Sequence, residues 1–455
     1  MFRYATSDLE TWFKSKHRKP LIIRGARQVG KSTLVRNFCI EKKLDLFEVN
    51  LEERPLTTLS KDGIILDEVI AEMELLHKKK IRAEKSIIFL DEIQEQPKAI
   101  NLLRYFHEKK NELAVIAAGS LLEVTLKQEK IEIPVGRVDF YQLGPMNFQE
   151  FLLATGNSDL LQYLEIKSVV KIPSFAHKLL IEELKKFYIV GGMPESILRY
   201  SEERDFVAVR KVQHQLLETY RNDFFKYATK ASIPKLDKVF EFVPLHLGKK
   251  VKYVEISRDF KAKDLLNSIQ ILYDVRVVSP VYFSKAKKIP LNSEYDSSIF
   301  KLFFLDIGLC AKANEISLET FNDEKFSIYL KGELAEQFVF QHVYYGHGKF
   351  ENPKIFYWIN EKKNASAELD FVVEINNRIV PIEVKSVQSM KLKSLIYFMH
   401  INQHKVAVKI SLEEYSVQDN FETKIFDGHR DVTVKFKLYN IPIYMAGQLF
   451  DLNII

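Results

Sequence analysis

The chain has 455 residues, 46% of them hydrophobic and 28% charged, with 67 Lys+Arg against 61 Asp+Glu and a formal net charge of +6. That composition excludes a wholly disordered chain, and at roughly 150 residues per domain the length corresponds to about three domains. The only two cysteines, Cys39 and Cys310, exclude a disulfide scaffold and fit a reducing compartment.

Residues 1–20 lack the continuous apolar stretch of a secretory signal. No run reaches the roughly 18 apolar residues of a spanning helix. We therefore expect a cytoplasmic protein with no membrane partner.

Residues 1–150 alternate bare apolar runs (Leu21–Ile23, Leu46–Asn50, Ile87–Leu90, Ala114–Ala117) with amphipathic stretches. Such runs between helices indicate a parallel sheet covered on both faces. Residues 151–230 carry apolar residues at helical spacing, broken at Pro173 and at Gly191-Gly192-Met193-Pro194, and are expected to form a helical lid. Residues 231–312 read as two helices, LDKVFEFVPLHL and KDLLNSIQILYDV, then a β-hairpin, which is the layout of a winged helix. In 313–455 a helix (GELAEQFVFQHVYY) precedes strands at 355–360, 368–374 and 378–385. A further helix (SLIYFMH) and strand (KVAVKI) complete an α-β-β-β-α-β order. The expected fold class is α/β.

Gly25-Ala-Arg-Gln-Val-Gly30-Lys31-Ser32 fits G-x-x-x-x-G-K-[ST], with an apolar strand before it and a helical stretch after it. The glycines let backbone N–H groups curl around phosphate oxygens, and the helix N-terminus adds its own attraction. Gly25, Gly30, Lys31, Ser32 and Thr33 are the expected nucleotide contacts, with Lys31 on the β- and γ-phosphates and Ser32 on Mg²⁺. The strand IIFL ends in Asp91 and Glu92, placed to hold Mg²⁺ and to polarise an attacking water, which points to hydrolysis. AVIAAGS ends at Ser120, which is placed either to sense the γ-phosphate or to cap a turn. Arg137 supplies positive charge, either to a phosphoryl transition state, in a neighbouring subunit for instance, or to a surface ion pair.

The runs KPLIIRGARQVGKST, IIFLDEIQ, AAGSLLE and IPVGRVDFYQLGPMNFQEFL resemble the AAA+-type ATPases of bacteria and archaea that carry a C-terminal domain of unknown function. YIVGGMPE, FKLFFLDIGL, KGELAEQFV and AELDFVV…PIEVKS extend the resemblance from about residue 10 to residue 390. It implies an AAA+-like core, ATP and Mg²⁺ as cofactors, and a homo-oligomer. It also implies nucleotide and Mg²⁺ roles for Gly25, Gly30, Lys31, Ser32, Asp91 and Glu92, and less directly for Ser120 and Arg137.

Asp370…Glu383-Val-Lys385 has the D-(x)₁₂-E-x-K spacing of PD-(D/E)xK nuclease-like folds. A two-residue turn at Asn376-Asn377 sets Asp370 opposite Glu383 and Glu368 opposite Lys385. Like charges directly opposite need compensation, which a divalent metal or Lys385 would provide. Asp370, Glu383 and Glu336 are thus candidate metal ligands, with Lys385 catalytic. A solvated hairpin face with a Glu368–Lys385 pair, or a nuclease fold without activity, accounts for the same residues.

Residues 249–288 hold ten Lys/Arg against four Asp/Glu, a surplus equal to the net charge of the whole chain. With Lys261, Lys263, Asn267, Ser268 and Gln270 around a recognition helix, they would grip DNA through phosphates and base edges. A charged face in a packing or protein-binding module is the equal alternative. The sequence thus reads as an Mg²⁺-dependent ATPase whose nucleotide state gates its C-terminal half on DNA. The alternative is a nucleotide-controlled protein-binding switch or scaffold.

Overall fold

The computed structural model describes residues 1–59, 63–134, 136–164, 172–316, 332–346, 349–350, 355–362, 365–385, 392–426 and 430–451. Val135, Lys331 and Ser386 of the motif runs lie outside the described residues.

Helix α1 (Ala5–Lys14) leads into β1 (Leu21–Arg24), α2 (Lys31–Lys42), β2 (Asp45–Asn50), α3 (Leu66–His77), β3 (Ser86–Asp91), α4 (Lys98–Lys109), β4 (Ala114–Ala118), α5 (Leu122–Glu129) and β5 (Asp139–Gln142). The strands form a five-stranded parallel sheet in the order β2-β3-β4-β1-β5. Every residue of β3 and β4 is buried, as helices on both faces require. β5 has no signal in the sequence, because DFYQ is short and half polar. Because the strands are parallel and in register, the carboxyl ends of β1, β3 and β4 share one edge, where ligands bind in open α/β sheets.

The chain continues through α6 (Phe148–Ala154), α7 (Ser174–Val190), α8 (Pro194–Glu203), α9 (Phe206–Tyr227), α10 (Ile233–Leu245), α11 (Tyr253–Ile256) and α12 (Ala262–Asp274). A hairpin of β6 (Val278–Ser284) and β7 (Tyr295–Phe304) follows, then α13 (Ile307–Ala313), α14 (Glu333–Gly346), β8 (Phe356–Lys362), β9 (Ala365–Ile375), β10 (Arg378–Val384), α15 (Lys393–Asn402), β11 (Val406–Ser411), β12 (Ser416–Phe426) and β13 (Asp431–Pro442). The helix–helix–hairpin order of the winged-helix reading is present. Its hairpin, however, is the edge of an eight-stranded mixed sheet, β12-β13-β11-β10-β9-β8-β6-β7. The sequence boundary at 312/313 therefore separates strands that share a sheet. The β12–β13 hairpin at the other edge was not expected.

One continuous apolar core links the two halves, running from Ile23 and Phe38 through Phe187 and Phe224 to Phe338, Tyr439 and Leu449. A second core, with Ile22, Ile88, Leu102 and Val115, covers the opposite face of the parallel sheet. The central helices are thus packed between the parallel sheet and the C-terminal sheet.

Candidate functional site

The phosphate loop leaves β1 at Arg24 and enters α2 through Gly30, whose φ of +93° is left-handed and favours glycine. Gly25 is equally constrained, since a Cβ there would stand 2.3 Å from the Leu143 carbonyl oxygen. Lys31 is 7% exposed, and its Nζ donates to the carbonyls of Gly25 and Ala26, both at 3.0 Å. Burial pushes its pKa below the ordinary lysine value, opposed by Glu92 and Asp91. Ser32 Oγ donates to Asp91 Oδ2 at 2.6 Å. Burial raises the Asp91 pKa, and the Ser32 hydrogen bond opposes that rise. Lys31, Ser32, Thr33 and Glu92 line one cavity of about 520 Å³.

Glu92 adopts φ +48°, a left-handed conformation that costs a non-glycine residue about 1 kcal/mol and concentrates at functional sites. Gln94 Nε2 donates to Glu92 Oε2 at 2.7 Å, and Ser120 Oγ reaches the same oxygen at 3.5 Å. Ser120 therefore contacts Glu92, neither capping a helix nor standing alone. Arg137 lies before β5, at the amino edge of the sheet and opposite the phosphate loop, where it pairs with Glu108 at 3.0 Å. Within its own chain it cannot serve the phosphate loop.

Three groups that sequence reasoning missed complete the pocket. Arg3 donates to the carbonyls of Val29 (2.9 Å) and Gly144 (2.8 Å) and pairs with Glu150 at 3.2 Å, tying the N-terminus to the loop. Arg27 pairs with Asp223 of α9, and the Tyr220 hydroxyl donates to the Arg27 carbonyl at 2.8 Å. Pro194 and Glu195 line the cavity from the start of α8. Only the last had a sequence signal, the unassigned GGMPE run; the others depend on partners far apart in the chain.

In the C-terminal sheet, β9 and β10 pair in the expected register from Arg378↔Ile375 to Ile382↔Phe371, so Asp370 and Glu383 come next. Asp370 Oδ2 accepts from the Val384 backbone N–H at 2.7 Å, and Glu383 pairs with Lys385 at 2.6 Å. The expected Glu368–Lys385 pair is replaced. Glu368 contacts Lys301 of β7, whose Nζ is also 3.8 Å from Glu336 Oε2. Lys301 is fully buried and had no sequence signal.

Burial among neighbouring carboxylates pushes Glu336 and Asp370 upward, and Glu383 to about 7. Asp370, Glu383 and Glu336, the expected metal ligands, neighbour one another in this buried network, and among the described residues no group of three or more His, Cys, Asp or Glu is arranged to hold a metal ion. Lys385 holds one oxygen of Glu383 and the Val384 N–H one oxygen of Asp370, while Glu336 Oε2 and Glu383 Oε2 are buried with no hydrogen-bond partner among the described residues.

Part of the basic segment is paired, and Arg276 joins Glu123 at 3.3 Å. Lys249 binds Glu333 at 2.6 Å and Lys252 binds Glu255 at 2.9 Å. On α12, Ser268 is buried and donates to the Asp264 carbonyl, so it is not free for base edges. Gln270 donates to Asp274, which also takes Lys127 of α5 at 2.5 Å, so this end of α12 faces the parallel-sheet core. Lys261, Lys263 and Asn267 stay exposed. Among the described residues no helix is long and apolar enough to cross a membrane.

Three family models match successive stretches of the chain: an AAA domain over residues 17–152, a domain of unknown function (DUF8612) over 181–320, and a domain of unknown function (DUF4143) over 331–426. A search of curated protein sequences finds no match. Among solved structures, the chain is similar to the Aeropyrum pernix ORC2 protein in ADPNP–ADP complexes. Identity is 14%, the match covers 69% of this chain and 94% of that one, and the TM-score is 0.37. It is similar to the Thermotoga maritima RuvB Holliday junction branch migration motor at 12% identity, covering 61% and 89%, with TM-score 0.30. It is also similar to the Aeropyrum pernix ORC1 protein in complex with DNA at 12% identity, covering 69% and 90%, with TM-score 0.26.

Proposed function

We infer that this chain, a P-loop protein whose residues 17–152 are an AAA domain, binds ATP with Mg²⁺ at the phosphate loop and hydrolyses it, and that its nucleotide state controls the C-terminal half. The observation that carries this reading is the convergence of Lys31, Ser32, Thr33 and Glu92 on one cavity, with Asp91 hydrogen-bonded to Ser32. The pocket fits a triphosphate: the loop offers a buried ammonium that now rests on backbone carbonyls, which a phosphate would outcompete. Ser32 and Asp91 are hard oxygen donors suited to Mg²⁺, which would neutralise phosphate charge when bound. Glu92 is oriented by Gln94 as a base for water. The test is phosphate release by the full chain: Lys31→Ala should abolish it, and an unchanged rate would sink the ATPase assignment.

A separate observation favours DNA as the target of the C-terminal half. Lys287, Lys288, Arg378 and Lys405 line a groove of about 510 Å³, and no Asp or Glu is among its described lining residues. Three loops distant in sequence thereby present four exposed cations together. Phosphate backbones are gripped by such surfaces in a salt-dependent way. Lys287→Glu with Lys405→Glu should weaken binding of labelled duplex at least tenfold and flatten its salt dependence. Absence of duplex binding by the wild type at about 50 mM salt would favour the protein-binding scaffold instead.

A further inference from the structure

The runs GGMPE and LDIG are distant in sequence and neither has a role in the chemistry above, yet they touch. Gly191 closes α7 with φ +73° and ψ −169°, a conformation essentially restricted to glycine. A Cβ there would stand 2.2 Å from Asp306 Oδ1 and 2.8 Å from the Gly308 backbone. A Cβ on Gly308 would stand 2.6 Å from the Gly191 nitrogen. The two backbones are therefore in direct contact, at a distance only paired glycines allow.

Asp306 fills the junction, with no exposure to solvent. Its Oδ1 caps α13 by accepting from Leu309 N–H at 3.1 Å. Its Oδ2 accepts from Gly192 N–H at 2.6 Å and from Gln341 Nε2 at 3.2 Å. A buried carboxylate is costly unless donors surround it, and these donors come from three separate segments. Each segment leads somewhere. Gly192 accepts from Met146 N–H at 2.7 Å and is followed by Pro194, which faces Gly30 of the phosphate loop, and by Glu195 in the cavity wall. Gln341 lies on α14 and also accepts from Ile307 N–H at 2.9 Å. One turn earlier on α14, Gln337 brackets Phe304 by bonding both its N–H (3.0 Å) and its carbonyl (2.8 Å). Next to Gln337 stands Glu336, beside Lys301 in the carboxylate cluster.

We propose that Asp306 is a positioning residue for the nucleotide pocket: it fixes the Gly191–Glu195 segment against the phosphate loop and, through Gln341, ties that segment to α14, so that nucleotide binding is transmitted to the C-terminal carboxylate cluster. The proposal rests on the nucleotide-binding reading above. Coupling of this kind needs an element that both sites bias, and α14 with the α13 junction is that element.

The test uses the full chain with a fluorescent ADP and ATP analogue, and hydrogen exchange of residues 333–346 with and without nucleotide. Asp306→Asn keeps the helix cap but turns an amide N–H toward Gly192 N–H. Affinity should fall about tenfold, with the melting temperature of the unliganded protein changed by only a few degrees. Gln341→Ala leaves the Gly192–Asp306 bond in place. Its nucleotide affinity should stay within about twofold of wild type, while the nucleotide-dependent change in exchange on 333–346 disappears.

Wild-type affinity in Asp306→Asn, or a persisting exchange response in Gln341→Ala, would overturn the proposal. Should Asp306→Asn fail to fold, the Gln341→Ala exchange response decides it alone. Lys31→Ala separates the two readings: if the wild type binds the analogues no better than Lys31→Ala, the nucleotide reading itself falls and the coupling with it. If the wild type binds and only the Asp306 and Gln341 variants behave as wild type, the coupling alone falls.

Discussion

Lys31, at the start of α2, and Lys301, within β7, are both buried lysines near carboxylates, yet they are handled in opposite ways. Among the described residues Lys31 has only backbone carbonyls within hydrogen-bond reach, and burial lowers its pKa. Lys301 contacts Glu368, stands near Glu336, and lies 5.0 Å from the Tyr357 ring; its surrounding carboxylates raise its pKa despite full burial. An under-compensated cation beside an open cavity is poised for an anion from outside. A cation enclosed by carboxylates has already been used to stabilise the fold. The difference separates a binding site from a charge network, even though both have acids, a lysine and partial burial.

The largest effects should fall on the cavity shared by the phosphate loop and Glu92 and leave stability nearly untouched. Glu92→Gln removes the base but keeps shape and hydrogen-bonding capacity, so ATP turnover should drop by roughly 10²–10⁴-fold while nucleotide binding persists. Single-turnover phosphate release alongside equilibrium binding checks this. Turnover within threefold of wild type would remove Glu92 from the chemistry. Lys301→Met tests the other side of the comparison. Removing one partner of a buried ionic group typically costs about 3–5 kcal/mol. Denaturant unfolding should show a loss of that order, whereas Lys31→Ala should lose little, because no carboxylate depends on it for a close ion pair. Equal losses in the two variants would erase the distinction.

The same contrast explains what the sequence revealed. The phosphate loop was legible because its chemistry sits in eight consecutive residues between a strand and a helix, and Asp91–Glu92 closes another strand of the same sheet. The β9–β10 register was legible because Asn376-Asn377 forms a turn in which both residues have positive φ, +49° and +58°, as a two-residue hairpin turn demands. The neutralisation of that hairpin was not legible. Lys301 comes from a hairpin on another part of the chain, brought alongside only by an eight-stranded sheet whose order skips through sequence. Arg3 and Asp306 were invisible for the same reason: nothing local distinguishes an arginine at a chain start or an aspartate before a helix from an ordinary surface residue or cap. The GGMPE and LDIG runs announced a constraint, but not that they constrain each other.

A smaller effect separates the two halves by pH. His342 of α14 donates from Nδ1 to the Phe338 carbonyl at 2.8 Å and accepts at Nε2 from Phe148 N–H at 2.9 Å, stitching the C-terminal half to α6. A ring that accepts at Nε2 must be neutral, and burial pushes its pKa down to about 4. The unfolded chain takes up a proton near pH 6.5 and the folded one does not until about pH 4, so the unfolded state binds more protons between them. The contribution is therefore fully present above about pH 6.5, is lost as pH falls through that window, and is constant below it. Between pH 7 and about pH 5 the wild type should lose about 2 kcal/mol more than His342→Gln. Parallel pH profiles of the two proteins would contradict the neutral-ring assignment.

The smallest effect is expected at Arg137, and its size is what makes it useful. Its guanidinium is half exposed and pairs with Glu108, itself shared with Arg104. Exposed pairs of this kind are worth about 0–1 kcal/mol, so Arg137→Ala should leave stability within about 0.5 kcal/mol of wild type. Because Arg137 stands at the sheet edge opposite the phosphate loop, its loss should not alter nucleotide affinity in an isolated chain either. A drop in turnover that appears only as protein concentration rises would mean that the arginine reaches the loop of a second copy. An arginine supplied in trans is worth about 10³–10⁵ in rate where it acts on the transferring phosphoryl group, far more than any surface ion pair. One titration of turnover against protein concentration, wild type beside Arg137→Ala, therefore separates a surface charge from a group completed by assembly.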